Sequence, residues 1–203
     1  MLKNTLLSMI KTLVNVLYPL IVFPYVSRVL GPTNIGKINF GASIISDFTL
    51  MATLGVTTYA IRECSKVKKD KGALNEVASQ IFSINIITLI VSYVLLLVLL
   101  IYVPKFRDYR MLILIQSLSM LFSVIGTDWL NTAMEDFKYL TIRTIIFSVV
   151  SLVLIFFFVR VKEDYIKYVL ISMLSTSGAQ LCNVFYCRRF CNIKFTTKID
   201  WTK

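Results

Sequence analysis

The chain has no histidine and few carboxylates, with 11 Asp and Glu against 22 Lys and Arg in 203 residues. General acid–base catalysis and zinc coordination depend on those side chains. Cys187 and Cys191 are spaced like half of a metal clip, but zinc needs further ligands. We therefore expect no enzyme, metal or cofactor, and an intramembrane acyl or glycosyl transferase remains only as an alternative.

Cysteine is also scarce, and all four cysteines lie at the ends of apolar runs. They are Cys64, Cys182, Cys187 and Cys191. Their positions indicate a reducing compartment and no disulfide framework. A cleavable leader is not expected either, because Lys11 interrupts the first apolar run and no A-x-A site follows it.

Apolar residues are what the chain has in excess, at 57% of the sequence and a mean hydropathy of +0.74. This composition predicts an all-α integral membrane protein. Windowing gives six apolar segments, at about 6–30, 35–60, 78–103, 111–130, 140–159 and 165–186. We predict a bundle of six transmembrane helices over residues 1–186, followed by a basic cytoplasmic tail at 187–203.

A net charge of +11 could indicate nucleic acid, but the cations gather at the segment edges instead of on a soluble face. Most of them fall on one side if the N-terminus is inside, which predicts cytoplasmic N- and C-termini. The most basic connection, residues 62–76, should lie against anionic lipid headgroups. Nucleic acid is not expected as a partner.

The first segment carries polar residues at helical spacing. Asn4, Lys11, Asn15, Tyr18 and Tyr25 fall within about 60° of one another on a helix, with Arg28 at the edge. Pro19 and Pro24 should bend this helix, and Gly31 with Pro32 should form a corner after it.

The second segment repeats the arrangement. Its stripe contains Asn39, Ser43, Ser46, Thr53 and Thr57, with Asp47 beside it. Polar groups are costly in lipid, so the two stripes should face each other or a watery cavity. Close helix packing is the alternative for the Ser and Thr positions.

The fourth segment also carries a polar stripe, and the sixth resembles a packing or cavity-lining helix. Their polar residues are Gln116, Ser119, Ser123, Thr127 and Asn131, and Ser172, Ser175, Gln180 and Asn183. The third and fifth are predicted to be lipid-facing walls with only small polar residues, such as Ser148. The fourth places Asp128 and Trp129 near the cytoplasmic interface, where a carboxylate is cheap and Trp commonly anchors. Arg62 and Glu63 are expected at the same interface, where the second segment ends.

Three stretches carry a family resemblance: PYVSRVLGPTNIGKINFGASIISDF, LGVTTYAIRE and DWLNTAMEDFKYLTIR. The sequence resembles the polysaccharide-export flippases of bacteria, which transport O-antigen and capsule repeat units. Their superfamily also contains the MATE multidrug exporters and the lipid II flippase. The chain departs from the family pattern at Asn131, Thr132 and Ala133, where an aromatic, a Gln and a Gly are more usual.

The resemblance implies two six-helix bundles around a cavity, of which this chain supplies the N-terminal one. It also implies transport of an undecaprenyl-pyrophosphate-linked oligosaccharide across the bacterial cytoplasmic membrane by alternating access. The second lobe would lie in a longer reading frame of which this chain is a part, in a separately encoded chain or in a second copy.

Under this interpretation the two stripes hold the substrate. Lys11, Arg28 and Lys37 are the cations available to a pyrophosphate. Tyr18 and Tyr25 could stack on sugar rings. The remaining expected cavity residues are Asn15, Asn39, Ser43 and Thr53. Asp47 is the candidate for proton or sodium coupling, because a buried carboxylate changes protonation readily.

Two further alternatives stay open. A multidrug or organic-cation exporter of the same fold would favour acidic residues in its cavity, whereas the first two segments offer more cations. A non-transporting assembly subunit or truncated fragment is the other.

Overall fold

The computed structural model describes residues 2–53, 55–193 and 195–196, and within these ranges the chain is helical with no strand. Eight α-helices follow in chain order: α1 (Leu2–Thr53), α2 (Val56–Lys66), α3 (Lys71–Tyr102), α4 (Arg110–Ile125), α5 (Asp128–Ala133), α6 (Phe137–Phe158), α7 (Tyr165–Met173) and α8 (Ala179–Tyr186). Short 3₁₀ turns precede α4 and α7 and follow α8. A π-helical turn, Leu174–Gly178, joins α7 to α8.

Helix α1 is interrupted at Gly31, as the sequence predicts. Gly31 has φ 75° and ψ 167°, in the positive-φ region that glycine adopts without a steric cost. Pro32 follows at the start of the second limb. Pro19 and Pro24 lie inside the helix, which continues through both of them.

The first limb of α1 runs in the same direction as α6. Leu7 accepts a hydrogen bond from Thr141 through its carbonyl, and the Tyr18 hydroxyl lies 2.7 Å from Ser151 Oγ. Further along, Tyr25 donates to the carbonyl of Val159 at 2.8 Å. Partner numbers rise together, so the two helices are parallel.

The second limb runs in the opposite sense. The Ile38 carbonyl accepts from Gln116 in α4, while the Ala52 carbonyl accepts from Thr88 in α3. At its other end Phe40 packs on Phe106, just after α3, so the limb is antiparallel to α3. Helix α4 is itself antiparallel to α3, because Tyr93 meets Ser117 and Leu100 meets Arg110, and the limb is therefore parallel to α4. Segment 165–186 is antiparallel to α6, because Ser151 meets Ile171 and Ser148 meets Ser175. It is parallel to α4, because Leu112 shares a cluster with Val169 and Gly126 meets Asn183. The chain thus reverses at Gly31, and α1 is two antiparallel limbs.

The surface of the bundle is apolar. Four stretches are long and apolar enough to cross a membrane: Asn4–Lys66, Lys71–Tyr102, Pro104–Ala133 and Phe137–Phe158. Large hydrophobic side chains such as Leu20, Leu50 and Ile101 are more than half exposed. A soluble monomer rarely exposes a contiguous apolar surface of this size to water. The protein is a multi-pass membrane protein.

Helices meet at the two ends of the bundle in different ways. At one end Trp129 packs with Ala60, Cys64, Leu74 and Cys187 in an apolar cluster. Asp70 caps α3 there, accepting from Gly72 and Ala73 N–H groups at 2.8 and 3.2 Å. This cluster ties the short helices α2 and α5 to the long ones.

The opposite end is ordered by Asp164. Its carboxylate accepts from the backbone N–H groups of Arg160 and Val161 at 3.0 and 3.1 Å, and lies 2.7 Å from Lys167 Nζ. The Lys167 ammonium and the two N–H donors lower the pKa of Asp164 to about 2. Asn34 donates to the Lys162 carbonyl at 2.8 Å, which docks this loop on the corner of α1.

Candidate functional site: a polar cavity inside the bundle

A cavity of about 820 Å³ lies between both limbs of α1, α4, α6 and segment 165–186. Its polar lining consists of charged groups, amides and hydroxyls. These are Lys11, Asp128 and Arg143; Asn15, Gln116 and Gln180; and Tyr18, Ser46, Thr49, Ser119, Thr144, Ser148, Ser172, Ser175 and Thr176. A cavity of this size and lining can hold a hydrated, hydrogen-bonding ligand.

Hydroxyl groups join the helices around this cavity. Tyr18 reaches Ser151, and Ser148 Oγ lies 3.3 Å from Ser175 Oγ. Small residues let α6 approach segment 165–186 closely, as is usual in membrane bundles. Helix α6, expected to be a lipid-facing wall, therefore also forms one side of the cavity through Thr144 and Ser148.

The π-helical turn between α7 and α8 also forms part of the cavity wall. Its five residues include Ser175 and Thr176, which line the cavity. Such turns are rare and often mark functional positions, because the extra residue re-aims side chains.

Gln116 is held rigidly at the cavity edge. Its side-chain nitrogen donates to the Ile38 carbonyl at 3.1 Å, and the residue is buried. A Cβ at position 41 would collide with Gln116 Oε1, so Gly41 makes this approach possible. Gln116 Oε1 is buried against Gly41 and accepts no hydrogen bond within the described part of the chain.

An ion pair closes the cavity near α5. Arg143 Nη2 lies 2.9 Å from Asp128 Oδ1 and 3.0 Å from Oδ2. The Arg143 side chain is 5% exposed and that of Asp128 37%. Asn183 donates to Asp128 Oδ1 at 3.0 Å and also contacts Asn131, and both amides are fully buried. The carboxylate is thus held by a cation and an amide.

The turn before α5 creates this arrangement. Thr127 has φ 45°, an uncommon left-handed conformation for a non-glycine residue, and Asp128 follows in the first turn of α5. An acidic residue is favoured at a helix N-terminus, since the peptide dipoles point their positive ends there.

Asp128 does not use all of the N–H donors of the Arg143 guanidinium. Nε and Nη1 donate to no acceptor among the described residues. The Tyr139 ring lies beneath the guanidinium, 5.4 Å from its carbon to the ring centroid. A buried cation with free donors is suited to bind an anionic oxygen.

Four of the residues expected to form a site line this cavity. They are Lys11, Asn15, Tyr18 and Asp128. The first three come from the stripe of the first segment, so its predicted inward orientation agrees with the geometry near its start.

Other expected residues lie elsewhere. Tyr25 hydrogen-bonds to Val159, and its ring packs against Phe156 at 4.5 Å between centroids. Ser46 of the second stripe also lines the cavity, and the remaining positions of the two stripes do not. Arg28, Asn39, Ser43 and Asp47 are exposed, whereas Lys37 and Thr53 are half-buried.

The residues expected at the cytoplasmic interface lie in different surroundings. Arg62 lies 3.0 Å from Glu63, which also pairs with Lys66 at 2.8 Å. Trp129 is buried in the apolar cluster.

The sequence patterns did not single out Arg143, which lies at a segment edge like most of the other cations. The available signal was an arginine just inside an apolar segment, where an ionisable residue is expensive and marks a functional position. Its partner could not be identified from spacing, because Asp128 lies in a different helix.

The comparisons with known proteins agree with the resemblance. A family model described as "Polysaccharide biosynthesis protein" matches residues 1–202. A curated relative, "Putative O-antigen transporter" of Escherichia coli (strain K12), is 25% identical over 150 residues. That alignment covers 74% of this chain but 36% of the relative, so the chain spans about a third of its length. No solved structure matches the chain. The chain belongs to the polysaccharide biosynthesis protein family.

Proposed function

We propose that this chain forms one lobe of a flippase for an undecaprenyl-pyrophosphate-linked oligosaccharide in the bacterial cytoplasmic membrane. The lobe consists of six membrane-crossing segments within residues 1–186, in a MATE-like arrangement, with the N-terminus and the basic tail 187–203 in the cytoplasm. The family match and the apolar surface support this proposal.

The observation that carries the proposal is the polar cavity, with Lys11 and Arg143 in its wall. A saccharide presents many hydroxyls, which need the amide and hydroxyl groups found there. A pyrophosphate needs fixed cations, and guanidinium can bind two phosphate oxygens at once. An organic cation would be poorly served, because the lining's carboxylate, Asp128, is already paired with Arg143.

In this mechanism the two cations hold the pyrophosphate while the sugars occupy the cavity. Tyr18 is placed to offer its ring to a sugar, and the amides of Asn15 and Gln180 can hydrogen-bond to its hydroxyls. The lobes then rock against each other so that the cavity opens to one leaflet and then the other. Asp47 is exposed on this lobe, so it is the candidate coupling carboxylate only where the second lobe covers it. Arg28, Lys37, Asn39, Ser43 and Thr53 belong to the path that the second lobe would complete, whereas Tyr25 is held within this lobe by Val159 and Phe156.

The test measures transport in cells that lack their own O-antigen flippase. We expect Lys11→Gln to lower surface polymer about tenfold and to raise the pool of cytoplasmic-side lipid-linked saccharide, because one charged hydrogen bond is lost. Lys69→Gln is the matched control, since Lys69 is exposed and outside the cavity. Equal polymer levels in the two variants would count against the proposal.

The second lobe can be a further part of the same polypeptide, a separate polypeptide or another copy of this chain. A single cysteine placed at Asn39 should crosslink between copies in membranes if two copies pair around the cavity. Absence of any crosslink, with transport retained, would exclude a second copy as the second lobe.

A further inference from the structure

A second pocket, which we call the lateral pocket, opens between α6 and α8 on the side of the bundle. Its volume is about 660 Å³. One part of its wall is apolar and contains Ile142, Ile146 and Phe147. The other part is cationic and contains Lys138, Arg143 and Arg189.

The floor of the lateral pocket is rigid. The rings of Tyr139 and Tyr186 are stacked, with centroids 3.6 Å apart and planes 5° from parallel. Tyr186 donates from its hydroxyl to Asp136 Oδ2 at 2.6 Å, and Asp136 also caps α6 by accepting from the Tyr139 N–H. The carboxylate in the pocket is therefore engaged by its own helix end.

The cations of the pocket lack sufficient counter-charge. Lys138 and Arg189 are exposed and form no ion pair with a carboxylate among the described residues. Arg143 is 6% exposed, and its Nε and Nη1 donate to no acceptor in the same ranges. Its Nη2 is paired with Asp128, and the unpaired Nε and Nη1 favour a further anionic acceptor, because burying donors without an acceptor is costly.

The apolar wall determines what kind of anion fits. Ile142 and Ile146 are about half exposed, on a helix apolar enough to cross the membrane. An acyl or prenyl chain can lie along them while its headgroup meets the cations one to two turns away. A soluble anion would gain nothing from this wall.

We propose that the lateral pocket binds the phosphate headgroup of a membrane lipid, with Lys138 and Arg189 at its mouth and Arg143 at its inner end. Arg143 also lines the polar cavity, so a bound phosphate lies at the wall between lipid and cavity. The binding does not depend on transport.

The test counts lipids retained by the purified full chain in native mass spectrometry. Probes are phosphatidylglycerol, polyprenyl phosphate and zwitterionic phosphatidylcholine. We expect the two anionic lipids to be retained over phosphatidylcholine. Lys138→Gln and Arg189→Gln should each lower that preference about fivefold, a factor typical of one cation near a membrane surface. Both side chains are exposed, so neither change should unfold the protein.

Arg188→Gln is the matched control, because Arg188 is exposed and is the sequence neighbour of Arg189, but does not line the lateral pocket. Its guanidinium lies over the Phe185 ring. This change should leave retention unchanged. A stronger retention of phosphatidylglycerol would identify a resident phospholipid, and a stronger retention of polyprenyl phosphate would identify the carrier lipid; either supports a phosphate site. Equal retention of all three lipids, or equal loss in Arg188→Gln and Arg189→Gln, overturns the proposal, even if Lys11→Gln abolishes transport.

Discussion

Arg143 and Asp128 form a two-point ion pair across α5 and α6, with the guanidinium 5% and the carboxylate 37% exposed. The buried Arg143 guanidinium therefore depends more on its partner than the Asp128 carboxylate does. Water can reach the carboxylate, and Asn183 also donates to it. Apart from its contact with Asp128, the Arg143 guanidinium lies over the Tyr139 ring, which is a weaker partner than a carboxylate.

This inequality leads to a prediction about stability. Asp128→Asn should cost about 3 to 5 kcal/mol, because it leaves a buried cation without a counter-charge. Arg143→Gln should cost less, about 1 to 3 kcal/mol, because Asp128 keeps an amide donor and access to water. Unfolding of the purified protein in detergent measures both.

The matched control is Lys138→Gln, an exposed cation five residues earlier in α6, which should change the unfolding free energy by less than about 0.5 kcal/mol. The double variant should cost less than the sum of the single ones. If Arg143→Gln were the more damaging single change, the assignment of the buried partner would be wrong.

Gly126 gives a second prediction. A Cβ there would lie 2.7 Å from Gln180 Cβ and 2.9 Å from the Phe122 carbonyl oxygen. Gly126→Ala should therefore destabilise the protein by about 1 to 3 kcal/mol, as expected for an overpacked helix contact. Gly36→Ala is the control, because its Cβ would meet nothing within 4 Å, and alanine is the better helix former. Equal melting temperatures for the two variants would contradict the close packing of α4 on α8.

Asp164 gives a prediction about pH. Its folded pKa of about 2 lies below the ordinary value of about 3.9, so its stabilising contribution is complete above roughly pH 5. That contribution declines as the pH falls toward 2. The melting temperature of Asp164→Asn should be below that of the wild type at pH 7, and the difference should shrink on acidification. Glu163→Gln, an exposed neighbour, should track the wild type. A difference that stays constant from pH 7 to pH 3 would be evidence against the carboxylate's role.

The general architecture could be predicted from composition and spacing. Long apolar runs predicted an all-α membrane protein, and the Gly31–Pro32 pair predicted the corner at which α1 reverses. Both features depend on local chemistry, since apolar length and positive φ are properties of the residues themselves.

The composition of the cavity wall could be predicted only in part. The stripe of the first segment contributes Lys11, Asn15 and Tyr18, but its later members Tyr25 and Arg28 do not line the cavity. A stripe defines which residues share a helix face, whereas the neighbouring helices decide where the cavity ends. Tyr25 lies beside Phe156 and Val159, which fill that space.

The Arg143 pair could not be predicted at all. Its geometry depends on the left-handed Thr127 and on the placement of Asn183 from α8, neither of which follows from periodicity.

Thiol accessibility tests most directly whether the cavity between α1, α4 and α6 contains water. In a background with the four native cysteines replaced by serine, Ser119→Cys lines the cavity, whereas Leu118→Cys points away from it on the same helix. We expect a membrane-impermeant charged thiol reagent to modify Ser119→Cys in intact membranes and to leave Leu118→Cys unmodified. Modification of Leu118→Cys with no reaction at Ser119→Cys would contradict a water-filled cavity and the transport function proposed for it.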